Sequence, residues 1–230
     1  MDSRPLYKRP LFYALLVVGL LLLSSIIIPT LGKTSCPAPR SRDASNLRQI
    51  AQASLIYANS HQERFPEATD VWDYARLLAE ADILNEANMW QSRLDPATQT
   101  TGRVDGPVLA PAIANQTRAL TPEFRACKLC FAVALGKLTT AMPATTPIAW
   151  TRGLQPDGTW AKHSPYGGEG GHIAFLGGNV RYFRNLTDEG GQLTRFDGQG
   201  QTANILEALP PGTRIGEYVP TPEEQKAWSK

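Results

Sequence analysis

The chain has 230 residues, of which 42% are hydrophobic and 19% are charged, and its formal net charge is +2. This length allows one domain with an appendage, and the balanced charge gives no electrostatic case for a nucleic-acid partner, whose binders concentrate Lys and Arg on one face. Eighteen prolines and nineteen glycines favour a loop-rich body with short strands over a helical bundle.

An uncharged apolar run at residues 10–32 follows a short basic segment, residues 1–9. Because about 20 helical residues cross the ~30 Å hydrocarbon layer, this run predicts a single transmembrane anchor. It is longer than the apolar core of a cleaved signal peptide, and no well-placed small-x-small cleavage site follows it. The basic residues hold residues 1–9 in the cytoplasm, so the rest of the chain is expected outside.

The next segment predicts a linker and then two helices. Residues 33–42 contain two prolines, Pro37 and Pro39, which are expected to break or kink a continuing helix. Asp43 or Ser41 can cap a first helix. Its apolar face comprises Ala44, Leu47, Ala51, Leu55 and Ala58, with Ile50 beside them. Thr69-Asp70 caps a second helix, whose apolar face comprises Val71, Tyr74, Ala75 and Leu78.

A short turn around residues 85–90 precedes residues 95–123, a polar stretch rich in Gly, Pro and Thr without periodicity. We expect this stretch to form a long surface loop. A short helix is predicted at 203–209, and residues 210–230 predict a proline-rich C-terminal tail. The domain outside the membrane therefore spans residues 43–209.

The glycine-rich stretch Gly170–Phe183 predicts a β-hairpin, after two strands at 131–135 and 147–151. Gly177-Gly178 suits a two-residue turn, because both turn positions need φ > 0. That register gives a wholly apolar, core-facing side composed of Ile173, Phe175, Val180 and Tyr182. This side is expected to pack on the first helix, around Leu47, Ile50, Ala51 and Leu55. The glycines lead into a strand, whereas a phosphate-binding loop leads into a helix.

Two cysteines, Cys127 and Cys130, lie three residues apart. Positions i and i+3 of an extended strand are about 10 Å apart, beyond the reach of a disulfide, so a bridge between these cysteines requires a turn at Lys128-Leu129. A thioredoxin-type redox site would be surrounded by a βαβ pattern, which the sequence does not show. A local disulfide and two free thiols both remain open.

The sequence offers two candidate sets of metal ligands. A zinc-type set comprises Cys127, Cys130, His163 and His172, but its spacing is unlike a compact zinc finger. A calcium-type set comprises Asp188, Glu189 and Asp197, but three carboxylates supply fewer oxygens than the six that calcium needs. Structural histidines and no cofactor are the preferred interpretation. Trp150, Trp160 and Tyr166 are interpreted as packing residues, with a ligand platform as the alternative.

Three segments carry a family resemblance. Ser45–Pro66 resembles the stretch that follows the membrane helix in type IV pilins and type II secretion pseudopilins, of the form N-L-(K/R)-Q-I…YA-N…R-(Y/F)-P. Ile148–Trp160 and Gly170–Val180 resemble the hairpin end of the prepilin-like subset with an H-x9-D-G motif. The resemblance implies an α+β fold with an N-terminal transmembrane helix, a packing helix and a small antiparallel β-sheet.

The resemblance also implies a function. It predicts a non-catalytic structural or assembly component of a type II secretion or type IV pilus-like system, anchored once in a bacterial cytoplasmic membrane with its soluble domain periplasmic or extracellular. Its partners would be the membrane and other pilin-like subunits, contacted through the transmembrane helix. The alternative is an anchored extracytoplasmic binding module, calcium- or zinc-dependent, that does not polymerise.

The chain differs from the family at two places. Gly177 stands where the family has its turn aspartate. Arg9 and Pro10 occupy the prepilin cleavage point, and Ala14 occupies the position of the family's glutamate. Since the usual prepilin cleavage site is missing, we expect the anchor to stay uncleaved.

Overall fold

A computed structural model describes residues 38–111 and 118–229, together with Val17. Contacts divide the chain into two compact units, residues 1–38 and 39–230, and the described elements belong to the second unit apart from the first residue of its first helix. Except for Val17, the predicted anchor at 10–32 lies outside the described residues. Among the described helices, none combines the length and the apolar character that crossing a bilayer requires.

The fold is mixed α+β with an antiparallel sheet. Its first helix, α1, spans Ala38–Ser60, so residues 38–42 of the predicted linker are helical. Pro39 lies in the first turn of this described helix, where a missing backbone N–H costs no intrahelical hydrogen bond. The sequence predicts Asp43 or Ser41 as the cap of this helix, but both residues lie inside α1. The Asp43 side chain is buried there, at 2% exposure.

One side of α1 is buried in the core, as its periodicity predicts. Leu47, Ile50, Ala51 and Ala58 are at most 1% exposed, and Leu55 is partly buried. These residues and the strand residues of the sheet belong to one continuous hydrophobic cluster. Burial of this apolar stripe, rather than intrinsic propensity, is what stabilises a surface helix of this kind.

Helix α2 spans Val71–Glu80 and begins at the predicted cap. The Asp70 carboxylate accepts a hydrogen bond from the Asp73 amide at 2.7 Å. The four residues predicted for its apolar face are all buried. Tyr74 donates its hydroxyl proton to Ser54 at 2.7 Å, which fixes α2 against α1.

Part of the predicted surface loop at 95–123 is packed into the protein, and the prediction of a loop is wrong there. A 3₁₀ turn, Ala87–Trp90, leads to α3, Pro96–Thr101, and then to α4, Pro122–Arg125. Asp95 caps α3 and is fully buried, and Val108 and Leu109 are at most 1% exposed. Residues 112–117 lie outside the described part of the chain.

The strands form two antiparallel sheets. The strand bounds are β1 Phe131–Leu135, β2 Pro147–Thr151, β3 Gly171–Phe175, β4 Val180–Phe183, β5 Leu193–Thr194, β6 Gln201–Thr202 and β7 Arg214–Gly216. The main sheet has the order β4-β3-β2-β1-β7, and β5 pairs with β6 in a second, two-stranded sheet. The bounds of β1 and β2 are those that the sequence predicts.

The C-terminal segment is part of the fold, so the prediction of a tail at 210–230 is wrong for its described residues. Strand β7 pairs with β1, with Val133 opposite Gly216. Helix α5, Pro222–Trp228, begins with a capping box between Thr221 and Glu224. The short helix predicted at 203–209 is a 3₁₀ turn at Ile205–Ala208.

The hairpin exists, but its predicted register is wrong by one residue. Phe175 accepts a hydrogen bond from the Gly178 amide at 2.9 Å and donates its own amide to Asn179 at 3.0 Å. These bonds enclose three loop residues instead of two, and the last of them, Gly178, has φ +82°. Three-residue hairpin loops use a type I turn followed by a left-handed glycine, which is the arrangement here.

The changed register moves half of the predicted apolar face to the other side of the sheet, because a slip of one residue reverses every side chain of a strand. His172 pairs with Tyr182, and Ile173 pairs with Arg181. Ile173 and Tyr182 therefore lie on opposite faces. Ile173 and Phe175 remain core residues at 0% and 6% exposure, whereas Val180 lies on the Tyr182 face and is only partly buried, and Tyr182 is 40% exposed.

Phe183 replaces Tyr182 as the core residue of β4, and this exchange can be tested. Phe183 is 3% exposed and lies edge-on to Phe175, with ring centroids 6.2 Å apart. We expect Phe183→Ala to lower the free energy of unfolding by about 3–5 kcal/mol, the usual cost of removing a buried phenyl group. Tyr182→Ala, next to it, should cost less than about 2 kcal/mol. Denaturant unfolding of residues 39–230 measures both losses. A larger loss for Tyr182→Ala than for Phe183→Ala would indicate the two-residue turn that the sequence predicts.

Candidate functional site

A buried ion pair connects the end of β2 to the start of α3. Nη2 of Arg152 lies 2.8 Å from each carboxylate oxygen of Asp95, and the two side chains are 1% and 0% exposed. Asp95 also accepts a hydrogen bond from the Ala97 amide at 2.9 Å as the cap of α3. The Arg152 amide donates to the carbonyl of Cys130 at 2.9 Å. This pair therefore connects β2, α3 and the residue before β1.

The C-terminal segment covers the guanidinium of Arg152. The rings of Tyr218 and Trp228 lie 5.6 and 5.7 Å from its central carbon, within the range of cation–π attraction. The Glu217 carboxylate accepts a hydrogen bond from the Gly153 amide at 3.0 Å, and burial raises the pKa of this carboxyl. A charged and aromatic shell from residues 217–228 thus replaces water around Arg152.

The ion pair is incompletely satisfied by the described residues. Nε and Nη1 of Arg152 have no hydrogen-bond acceptor among them. Burial raises the pKa of the Asp95 carboxyl, although the Arg152 guanidinium and the Ala97 amide act in the opposite direction. A buried pair of this kind is expensive to break, since removal of either partner leaves an uncompensated charge. Nη2 of Arg152 and both carboxylate oxygens of Asp95 are occupied by each other, which favours a structural role for the pair.

A second polar cluster connects α1 to β3. His172 of β3 donates its amide to the Thr151 hydroxyl at 2.9 Å, and its ring Nδ1 lies 3.0 Å from the hydroxyl of Tyr166. Asp43 of α1 accepts a hydrogen bond from Ser92. Burial raises the pKa of Asp43 to about 6, and the hydroxyls of Ser92 and Tyr166 oppose this shift. Burial and the nearby charge of Arg40 lower the pKa of His172 to about 4.

The third polar feature is an open cleft at the start of α1. Arg40 forms an ion pair with Glu169, and this hydrogen bond raises the pKa of the guanidinium. The same guanidinium lies 5.4 Å from the ring centroid of Tyr166 and 5.7 Å from that of Tyr182. Tyr182 in turn donates its hydroxyl to the carbonyl of Glu169 at 2.6 Å. Arg40 is therefore held in one orientation at the wall of the cleft.

Cys127 and Cys130 are free thiols, so the local disulfide that the sequence left open is not formed in this structure. The Cys127 thiol points to the carbonyl of Glu123 at 3.4 Å, and the Cys130 thiol points to the carbonyl of Trp90 at 3.0 Å. Burial raises the pKa of Cys127 to about 11 and raises that of Cys130 as well. Thiols of this kind are poor nucleophiles near neutral pH.

The predicted metal ligands are not brought together. Among the described residues, no group of three or more His, Cys, Asp or Glu side chains is arranged to hold a metal ion. Asp188 and Glu189 are exposed in a turn, and the Asp197 carboxylate accepts a hydrogen bond from the Gln199 amide at 2.8 Å. His163 is partly buried and does not share the Tyr166 contact that His172 makes.

Sequence reasoning missed the residues that the structure singles out. Arg152 and Asp95 lie 57 positions apart, and no pattern in the sequence links the two. Two local signals were present: Asp95-Pro96 is a helix-start pattern, and Arg152 is a charge directly after a buried strand. The aromatic residues Trp150, Trp160 and Tyr166 are at most 6% exposed, as expected for packing residues.

Comparison of the chain with protein-family models, with curated proteins and with solved structures gives no significant match.

The ion pair between Arg152 and Asp95 gives a first prediction for this region. Asp95→Leu should lower the free energy of unfolding by about 3–5 kcal/mol, because it leaves Arg152 buried without its partner. The double variant Asp95→Leu with Arg152→Met should recover part of this loss, since no charge then stays buried. Denaturant unfolding in a double-mutant cycle measures the coupling. Arg195→Ala, which breaks an exposed pair with Glu207, is the control and should cost less than about 1 kcal/mol.

His172 gives a second prediction, on pH dependence. Its folded pKa of about 4 lies below the unfolded value of 6.5, so only the unfolded chain takes up a proton between these values, and stability falls as the pH drops through this window. From pH 7 to pH 5, the chain should lose about 1–2 kcal/mol more than His172→Asn does. The raised pKa of Asp43 has the opposite effect, but it is shared by both proteins. Equal pH dependence of the two would show that His172 is protonated in the folded protein at pH 5.

Proposed function

We propose that this protein is a membrane-anchored, pilin-like component that serves a structural or assembly role in a type II secretion or type IV pilus-like system. In this proposal residues 10–32 anchor the chain in a bacterial cytoplasmic membrane, and the α+β unit acts outside it. The proposal needs no catalytic group. It is supported by the order of features along the chain and by the way α1 joins the sheet.

The observation that carries the proposal is the packing of α1. The helix is described from Ala38, six residues after the apolar run ends, and its buried stripe around Leu47 and Ile50 belongs to the same core as strands β1 to β3. A helix that follows an apolar span and then supports an antiparallel sheet is what the resemblance to pilin-like proteins implies. Assembly would proceed through the span, by side-chain packing between neighbouring copies or related subunits.

The buried polar groups agree with a structural role. Arg152 is paired with Asp95, and Asp43 with Ser92, so these side chains hold segments of the fold together. The thiols of Cys127 and Cys130 are buried with raised pKa values, which favours a structural role for them too.

A second candidate is an anchored extracytoplasmic binding module that does not polymerise. The open cleft beside Arg40 favours it, because a concave site with charged and aromatic walls is suited to a small ligand. The two candidates share the anchor and differ in whether copies of the chain meet in the membrane.

Membrane anchoring is tested by fractionation. The full chain, expressed in a bacterium, should stay in the membrane fraction after carbonate washing, and protease added to spheroplasts should degrade its α+β unit. A variant without residues 10–32 should be released as soluble protein, because the apolar run supplies the membrane affinity. A full chain that behaves as soluble protein would refute the anchor.

Assembly is tested by cysteine cross-linking in the span. Single cysteines at positions 20–23 scan one helical turn, in a background with the native cysteines changed to serine. If spans pack side by side, oxidation should give a ladder of cross-linked species that is strongest at one or two of the four positions. Uniformly absent cross-links would favour the binding module over the assembly component.

A further inference from the structure

The cleft at the start of α1 has the size of a small-ligand site. Its volume is about 550 Å³, and it is open to solvent. Sites for small molecules in proteins are clefts of roughly 300–1,000 Å³. Its lining includes Arg40, Thr159, Glu169, Tyr182, Arg184 and Asn185.

The charges of the cleft leave one cation available. Arg40 is occupied by Glu169, while Arg184 forms no ion pair within the described part of the chain and is exposed to the cleft. Two guanidinium groups and one carboxylate give a local charge of +1. A ligand that places one carboxylate in the cleft would restore neutrality there, and a planar carboxylate can accept two parallel hydrogen bonds from a guanidinium.

The other walls offer both donors and acceptors. The side-chain oxygen of Asn185 accepts three hydrogen bonds from Thr187 and Asp188. The NH₂ group of the same amide is therefore the part that can donate to a ligand. The hydroxyl of Thr159 donates to Asp157 and so keeps its acceptor capacity. Hydroxyl groups need such mixed partners, since each is a donor and an acceptor at once.

An aromatic ring completes the site. Tyr182 is 40% exposed, although its hydroxyl is tied to the Glu169 carbonyl and its ring lies beside Arg40. The ring is therefore fixed in place but still accessible. An apolar surface held next to polar groups suits a ligand that has C–H faces as well as hydroxyls.

We infer that this cleft binds an acidic saccharide, a sugar that carries one carboxylate per unit, with Arg184 on the carboxylate and Tyr182 against the sugar ring. This binding activity does not depend on whether the chain polymerises. An anionic membrane surface fits less well, because of the two arginines that line the cleft only Arg184 is unpaired with a carboxylate within the described part of the chain. The local charge of +1 is also small for binding to a lipid surface, which uses clusters of basic residues.

The test is a titration of the full chain in a non-ionic detergent with digalacturonic acid, followed by calorimetry. We expect saturable 1:1 binding, no binding of the neutral disaccharide lactose at the same concentrations, and an affinity at least about tenfold weaker for Arg184→Ala. The matched control is Arg48→Ala, which removes an exposed arginine of α1 outside the cleft and should bind like the unchanged chain. Circular dichroism checks that each variant is folded, and Arg184→Gln replaces Arg184→Ala if the latter unfolds.

Four results would overturn the inference. The first is that digalacturonic acid fails to bind, and the second is that lactose binds equally well. The third is that Arg184→Ala and Arg48→Ala change the affinity by the same factor. The fourth is displacement of the disaccharide by inorganic phosphate at equal concentration, which would reveal a simple anion site without sugar recognition. Binding to vesicles with anionic lipids, without binding to the disaccharide, would assign the cleft to the membrane surface.

Discussion

The buried ion pair between Arg152 and Asp95 is the constraint on which the rest of the α+β unit depends. Two charges without access to water are tolerated only when each neutralises the other and nearby groups replace the lost solvent. Nη2 of Arg152 lies 2.8 Å from both oxygens of Asp95, so the end of β2 and the start of α3 have a fixed separation. Every segment that shields this pair must then fold around it.

The C-terminal segment is such a shield, which explains why a proline-rich stretch without periodicity is ordered. Strand β7 adds an edge to the main sheet, and directly after it Glu217 binds the Gly153 amide. The rings of Tyr218 and Trp228 then cover Arg152. None of the residues of α5 is itself buried, so this helix is held by its contacts to Arg152 and Lys128 rather than by a core of its own.

Much of the fold can be predicted from local sequence patterns, and the predictions that are wrong have physical reasons. The Asp70 cap of α2 and the bounds of β1 and β2 follow from neighbouring residues, and so the sequence predicts them. The hairpin register depends on whether the turn at Gly177-Gly178 has a loop of two or of three residues, and both loops favour glycine at position 178. This difference of one loop residue decides whether Tyr182 or Phe183 lies in the core, and in the structure it is Phe183.

The candidate sites were harder to predict because they join residues that are distant in sequence. Arg152 meets Asp95 across 57 positions, and Arg40 meets Glu169 across 129 positions. Each pair depends on tertiary structure that a local pattern cannot encode. The calcium-type and zinc-type ligand sets were chosen because their members lie near one another along the chain. A metal site requires side chains that meet in space.

The contacts of α1 change character along its length, and this bears on the proposed anchoring. Its first turns are held by polar contacts, through Arg40 to Glu169 and through Asp43 to Ser92, and its later turns by the apolar residues Leu47 and Ile50. The exposed pair of Arg40 and Glu169 exchanges readily with water, whereas the buried Asp43–Ser92 contact and the buried apolar stripe do not. If residues 10–32 hold the chain in a membrane, force transmitted along the chain reaches the polar turns first. The exposed pair of Arg40 and Glu169 would then be the first contact of α1 to open, while Asp43 and the apolar turns keep the helix on the sheet.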